Sequence, residues 1–534
     1  MYRLIILFGI GMLLGCSDRI SNKDLDIFRY NEVSTITSLD PAFAKNQANI
    51  WASHQLFNGL VQLNDKLEIE PCIAKAWDIS EDGTTYTFHL NPAVQFHKHQ
   101  ALGKDSTRNV SAADFVYSLE RLRKPELAAP GSWVLANVDS IIAINNQTLS
   151  IQLHQEFPPF LGLLSMTYCA VVPAEVVAFE GANFGRKPIG TGPFKFTYWK
   201  EGVKLVLRKN GNYFEYQEGK QLPHLDAIAV NFIQDKQTAF LEFIKGNLEF
   251  ISGLDASYKD EVLAQDGSLQ TKYRDKIQLH SLPYLNTEYL GFMVEEGREN
   301  SVNNRAIRKA INYGFDRKKM MQYLRNNIGT AANSGFSPKG LPSFDAEKVK
   351  GYFFAPDSVR YYLNLAGFPN GKGLAPIKLS TNSSYLDICE YIQSSLNSFG
   401  IPVEVEVNPP ATLRQMVATS KASFFRASWI ADYPDAENYL ALFYSKNFAP
   451  NGPNYTHYKN TLYDALYEKA ISITNDSVRY GLYQEMERIL INDAPMVPLY
   501  YDQVLRFTQN YVHGLGANAM NLLTLKTVRF GAKN

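Results

Sequence analysis

Apolar and polar residues recur along this chain with two periods, and the change from one period to the other marks its elements. Thr84-Thr85-Tyr86-Thr87-Phe88-His89-Leu90 alternates after the turn residues Glu81-Asp82-Gly83, which predicts a strand. Residues 111–122 carry apolar side chains near helical spacing, and Ser111 stands where an N-cap belongs, which predicts a helix. Residues 194–199 and 204–207 are strand-like runs either side of Lys200-Glu201-Gly202, the pattern of a hairpin. A further helix is predicted over 304–315, with Ile307, Ala310 and Ile311 on one face. The strand 377–381, the helix 386–399 and the strand 403–407 together make a βαβ unit. The fold class is therefore mixed α/β. No repeat and no low-complexity linker divides the chain into beads, which points to an interlocked body with several chain crossings.

Composition narrows the function more than the fold. The 534 residues allow roughly three domains or one composite body. Such a length buries a large core without covalent staples. A 45% apolar content with balanced charge excludes a disordered chain. Lys+Arg and Asp+Glu each number 53, so the basic excess of a nucleic-acid binder is missing. The 31 Tyr, 32 Phe and 5 Trp suit a ligand-holding surface and core packing equally.

The first residues point to a compartment. Met1-Tyr2-Arg3 precedes an apolar run, 4–14, that stops at Gly15-Cys16, the pattern of an export signal. The run is too short for a membrane-spanning helix, which needs about 20 residues. A Cys directly after the small residue predicts a lipoprotein signal over 1–15, with Cys16 lipidated after cleavage and 16–23 as a polar tether. Several acyl chains would anchor the protein firmly to the bilayer. The alternative is an ordinary secretory signal that contains a Cys, and Leu14 is larger than the residue usually preferred there. Of the other cysteines, Cys72, Cys169 and Cys389 allow at most one intrachain disulfide, and no CxxC spacing offers zinc or redox chemistry.

An exported chain of this size invites a search for catalytic signatures. Gly335-Phe336-Ser337-Pro338-Lys339 lacks the second Gly of a nucleophile elbow, and no H-E-x-x-H occurs. His97-Lys98-His99 has no acidic or Cys partner nearby and reads as solvated loop rather than metal site. Residues 185–191 have phosphate-loop glycines without the Lys, and 367–372 have the Lys with the wrong glycine spacing, so neither cradles a nucleotide. No cofactor or metal is expected. The balance moves toward a binding protein.

Several stretches taken in order carry a resemblance. Ser38-Leu39-Asp40-Pro41-Ala42, Leu56-Phe57-Asn58-Gly59-Leu60, and Ile73-Ala74-Lys75-Ala76-Trp77 come first. Ala113-Asp114-Phe115-Val116-Tyr117-Ser118 and Pro188-Ile189-Gly190-Thr191-Gly192-Pro193-Phe194 follow. Residues 305–317, Ala366-Gly367-Phe368-Pro369 and Ala494-Pro495-Met496-Val497-Pro498-Leu499 complete the set. Together they resemble the family 5 solute-binding proteins of bacterial ABC importers, the class of the oligopeptide- and dipeptide-binding proteins. The resemblance implies a bilobed clamp with an inserted subdomain, closing over a ligand. The first lobe would combine 24–62, 186–280 and 508–534, the inserted subdomain 63–185, and the second lobe 281–507. In this frame the glycines of 188–194 serve a tight chain reversal into the first lobe.

The same resemblance places recognition in Phe424-Phe425-Arg426-Ala427-Ser428-Trp429-Ile430-Ala431-Asp432-Tyr433-Pro434. Relatives carry Arg-Ala-x-Trp-x-Ala-Asp there, and the Asp grips the α-ammonium of a peptide. Asp432 matches that Asp, Trp429 the Trp and Arg426 the Arg. A peptide α-amine, with a pKa of about 7.7–8.0, is largely cationic at neutral pH. Arg426 would balance the site or reach a ligand carboxylate, and Trp429 would offer an apolar wall. Ile430 replaces a Cys found in some relatives, so no disulfide is expected there. The implied partners are a peptide, an inner-membrane ABC permease and the bilayer through Cys16. A monomer on the periplasmic face of a membrane or at the cell surface, without catalysis, is expected. The alternatives are another solute in the same fold, such as a metal chelate, haem or oligosaccharide, or an exported hydrolase.

Overall fold

The computed structural model describes residues 25–254, 258–295 and 300–532. The export signal, Cys16 and the tether lie outside the described residues. Among the described residues no helix is long and apolar enough to cross a membrane.

The predicted elements form where the pattern placed them. The alternating run is the strand Thr85–Leu90, whose Tyr86, Phe88 and Leu90 are buried. The Ser111 helix is Ala112–Arg123, and the Asp114 carboxylate accepts from the Ser111 N–H at 2.8 Å, closing its first turn. Asn304 caps the helix Arg305–Tyr313, its side chain accepting from the Ala306 N–H at 2.9 Å. In the βαβ unit, the strands Ile377–Thr381 and Val403–Val407 pair in parallel around the helix Leu386–Asn397.

One 11-stranded sheet runs through the molecule. At its centre lie two long antiparallel strands, Ile277–Phe292 and Met496–Gln509. On one side follow Phe424–Ile430, Ile377–Thr381 and Val403–Val407; on the other Phe250–Ser252, Ile27–Asn31, Ala227–Asn231 and the hairpin Lys204–Lys209 with Phe194–Lys200; the short Thr330–Ala331 pairs beside Met496–Gln509 as the eleventh. The long strands thus belong to two bodies. Their Ile277, Leu505 and Phe507 ends pack in one core, and Leu290, Phe292, Val497 and Leu499 in another. Between these stretches the register shifts from Pro283, opposite Gln503, to Thr287, opposite Tyr501. Such a bulge bends the pair and re-aims the side chains within it.

A separate four-stranded sheet is built by Ala74–Ile79, Thr85–Leu90, Val138–Asn145 and Thr148–Leu153, within the residues expected to form the inserted subdomain. It is tied to the first body by a buried bidentate pair. Arg121 of the Ala112–Arg123 helix donates to both oxygens of Asp40, at 2.9 and 2.5 Å. This paired geometry is the strongest form of a charged hydrogen bond. It also joins the Asp40 stretch to the helix that contains Ala113–Ser118.

Two readings of the loops are corrected. His97 is not solvated: it is 3% exposed, and its ring contacts the Gly192 carbonyl at 2.9 Å. His99 is held by Glu180 at 3.2 Å. The glycines of 188–194 also act differently from the expected turn. Gly190 and Gly192 have ordinary φ, but an added Cβ would meet the Leu56 carbonyl oxygen at 2.1 and 2.7 Å. They allow the strand entry to press against the end of the helix Gln47–Leu56. Cys72, Cys169 and Cys389 are buried free thiols.

Candidate functional site

A cavity of about 410 Å³ opens between the two bodies. Three parts of the chain wall it. From the first body come the start and one face of the helix Gln47–Leu56, with Gln47, Ile50, Trp51 and His54 at helical spacing. From the inserted subdomain come Ser165 to Tyr168, and from the second body Ile430 to Pro434. Tyr284, inside the bulge of the long strand, also reaches the cavity.

The helix wall is fixed from behind. Trp51 Nε1 donates to the Asn521 carbonyl at 2.8 Å, and Gln55 Nε2 to the Leu523 carbonyl at 2.6 Å. The opposite wall turns on Asn438, which is buried in the helix Glu437–Leu440. Its Oδ1 accepts from Trp429 Nε1 at 2.9 Å and from the Asp432 N–H at 3.1 Å. Its Nδ2 donates to Asp432 Oδ2 at 3.5 Å. One side-chain amide therefore ties the strand Phe424–Ile430 to the loop that follows it. The next residue, Tyr433, packs in the core that the first body shares with residues 63–185, with its ring centroid 6.5 Å from that of Trp133. The 432–434 loop is thus where the second body touches residues 63–185.

Asp432 makes no ion pair with any described residue. Its side chain opens to the cavity, yet the surrounding protein desolvates it, and burial raises its pKa above the ordinary value. The negative charge is felt across the cavity. Burial first, and then the Asp432 charge, push Tyr168 up to about 12. A desolvated carboxylate without a cation is costly unless a ligand supplies one.

The three side chains expected at the site are not brought together. Asp432 lines the cavity. Trp429 packs, half-buried, among Tyr289, Ala436 and their neighbours and reaches Asp432 through Asn438. Arg426 lies off the cavity lining, buried, ion-paired to Glu288 and set over the Tyr385 ring at 3.2 Å. That pair belongs to a network. Asn286 Nδ2 donates to Glu288 at 3.1 Å and to Asp502 at 3.3 Å, and Arg325 donates to Asp502 at 3.4 Å. Sequence reasoning missed Trp51, His54, Tyr168, Tyr284 and Asn438. Only the helix-face spacing of Gln47, Ile50, Trp51 and His54 was a readable signal; the others depend on tertiary placement.

A two-lobed sheet body with a walled cavity between its lobes has the architecture of a ligand-binding clamp. Residues 68–451 match the bacterial extracellular solute-binding proteins, family 5 (middle region), and the chain belongs to that family. It is 26% identical to heme-binding protein A of Haemophilus influenzae over 84% of this chain and 82% of that protein. It is 24% identical to the dipeptide-binding protein DppE of Bacillus subtilis over 96% and 93%. Among solved structures, the periplasmic binding protein DppA of Helicobacter pylori, in complex with the peptide STSA, matches with a TM-score of 0.75. That match has 25% identity and covers 94% of this chain and 98% of the other.

Proposed function

We propose that this protein captures peptides in the interlobe cavity and hands them to an ABC permease, with Asp432 gripping the peptide α-ammonium. The observation that carries the reading is the Asp432 carboxylate, without an ion pair among the described residues, on the wall of the interlobe cavity. A cationic amine restores what the carboxylate loses on leaving water, whereas a neutral sugar leaves it unpaired. Two relatives support the ligand class, since one is described as dipeptide-binding and the other holds a peptide.

Trp429 acts in this reading as a positioning residue through Asn438, and Arg426 sets the charge of the second lobe beside the site. Binding performs no bond chemistry; it favours the closed form, which the permease recognises. The lobes rotate about the long strands, near Pro283–Thr287. The proposed lobe limits, 24–62 with 186–280 and 508–534 against 281–507, cross those strands close to this bulge. In the cell a lipid on Cys16 holds the body as a monomer to the periplasmic face of a membrane or at the cell surface.

A metal-bearing solute, a chelate or haem, is the second reading. One observation favours it: His54, held neutral by burial, lines the cavity together with the thioethers of Met166 and Met520. A relative described as heme-binding points the same way. The deciding experiment is calorimetry with a mixed short-peptide pool and, separately, hemin. Peptide binding that Asp432→Ala abolishes while circular dichroism stays unchanged supports the first reading; hemin binding with no peptide binding overturns it.

A further inference from the structure

The far edge of the large sheet carries a concentration of charge that ligand capture does not use. In 186–209 seven residues are Lys or Arg and one, Glu201, is acidic, in a chain whose charges balance overall. Glu201 sits in the turn of the hairpin and is paired to Arg186 at 2.6 Å.

The strand register gathers four of the cations on one face. Lys195 stands opposite Arg208, Tyr198 opposite Val206 and Lys200 opposite Lys204. Side chains alternate along a strand, so Lys204, Val206 and Arg208 share a face while Leu205 and Leu207 are buried on the other. Directly opposed residues stand on the same face. The register shift between Phe196 and Tyr198 keeps Lys195, Tyr198 and Lys200 together there. Lys200, Lys204 and Arg208 are exposed, Lys195 is half-buried, and Tyr198, between them, is 49% exposed. None of the four cations makes an ion pair with any described residue. Lysines on an outermost strand serve to block pairing with another chain. That role does not reach Lys204 and Arg208, whose strand is paired on both sides.

The face also lies beside the point where the chain leaves toward Cys16. Ile27 pairs with Ala227, Ala227 with Arg208 and Arg208 with Lys195, one row across four strands. At ordinary strand spacing Arg208 is about 10 Å from Ile27, and Lys195 about 14 Å. Eleven residues separate Cys16 from Ile27, a reach of at most about 40 Å.

We propose that this hairpin face docks on anionic phospholipid headgroups, so that the body rests on the bilayer by its first lobe. The proposal rests on the reading in which Cys16 is lipidated. The four cations answer the negative surface, and a tyrosine ring suits the boundary between headgroup and water. A lipid anchor and a basic patch are two signals that act together. The hairpin ends the sheet on the side away from the second lobe, so docking there leaves the lobes free to close.

The test uses the mature protein isolated from membranes, whose intact mass shows whether Cys16 carries lipid. It is placed on vesicles of phosphatidylcholine alone, or of equal parts phosphatidylcholine and phosphatidylglycerol, and hydrogen exchange is followed. The wild type is compared with a variant carrying Lys195→Gln, Lys200→Gln, Lys204→Gln and Arg208→Gln, its fold checked by thermal unfolding. Exchange over 194–209 is expected to slow about fivefold or more on the anionic vesicles, the effect of even one cation at such a surface. Exchange over 377–407 in the second lobe should not change. The slowing should vanish in the variant and at about 1 M salt, where charges are screened within about 3 Å. Should the fourfold variant fail to fold, Lys200→Gln with Lys204→Gln at the hairpin tip should lose part of the slowing. Equal exchange on both vesicles, or slowing that survives these substitutions, overturns the docking face and leaves the anchor untouched. Slowing that appears only when the permease is added puts a protein on this face and overturns the lipid reading of it. A mass without lipid overturns the anchor and this proposal with it.

Discussion

The strand Phe424–Ile430 has an ionised group near each end, and the protein treats the two in opposite ways. Arg426 is buried, paired with Glu288, and covered by the Tyr385 ring. Asp432, two residues past the other end, has no cation among the described residues and faces the cavity. A charge answered from within the fold is part of the structure. A charge left open on a cavity wall is, in the proposed function, the one a ligand answers. Glu437 adds a third case, a carboxylate buried with neither cation nor cavity. It accepts from the Tyr433 and Tyr467 hydroxyls, and burial pushes it up to about 7.

The comparison breaks first at Arg426. Arg426→Met strands the Glu288 charge, so stability should fall by about 3–5 kcal/mol in urea denaturation. Adding Glu288→Gln should recover most of the loss. A stable Arg426→Met protein that no longer binds peptide would move Arg426 to the ligand side of the comparison.

Glu437 tests the third case through pH. Its folded pKa lies above the unfolded value of 4.5, so the native state binds the extra proton. Stability is then lost as pH rises from the unfolded value through about 7, by roughly 2–3 kcal/mol. The melting temperature of Glu437→Gln, which needs no proton, should be flatter across this window. Parallel curves for the two proteins would show that Glu437 stays ionised.

Smaller effects sharpen the Asp432 side. Asn438→Ala releases the Asp432 backbone and Trp429 Nε1 together, and peptide affinity in calorimetry should drop about tenfold, the size of a lost buried hydrogen bond. Unchanged affinity would leave Asn438 with packing alone. The pH profile of binding should have two limbs. Affinity falls on the acid side as pH drops through the raised Asp432 pKa, earlier than for an ordinary Asp. It falls on the alkaline side above about 8 as the peptide amine loses its proton. An acid limb that survives in Asp432→Asn would belong to another group.

Much of the fold was legible because local signals agreed with the tertiary outcome. The strands Ile377–Thr381 and Val403–Val407 fell on their predicted residues, and Ser111 and Asn304 stood at the helix starts. His97 misled because nothing local announces that its ring folds under the Gly190–Gly192 backbone. The two glycines misled for the related reason that close approach and a tight turn leave the same residue type in sequence. The resemblance pointed to Asp432, which lies on the cavity wall. Nothing local pointed to Tyr168 or Asn438, which segments far apart in the chain bring around the same cavity. Arg426 and Trp429 matched by type, but a motif cannot say whether Glu288 or a ligand answers the guanidinium.

The most direct measurement is a crystal structure of the protein with a bound tripeptide. The account predicts the α-ammonium nitrogen within hydrogen-bond distance of the Asp432 carboxylate, with the Arg426–Glu288 pair intact beneath it. An ammonium seated elsewhere, with Asp432 facing only water, would contradict it.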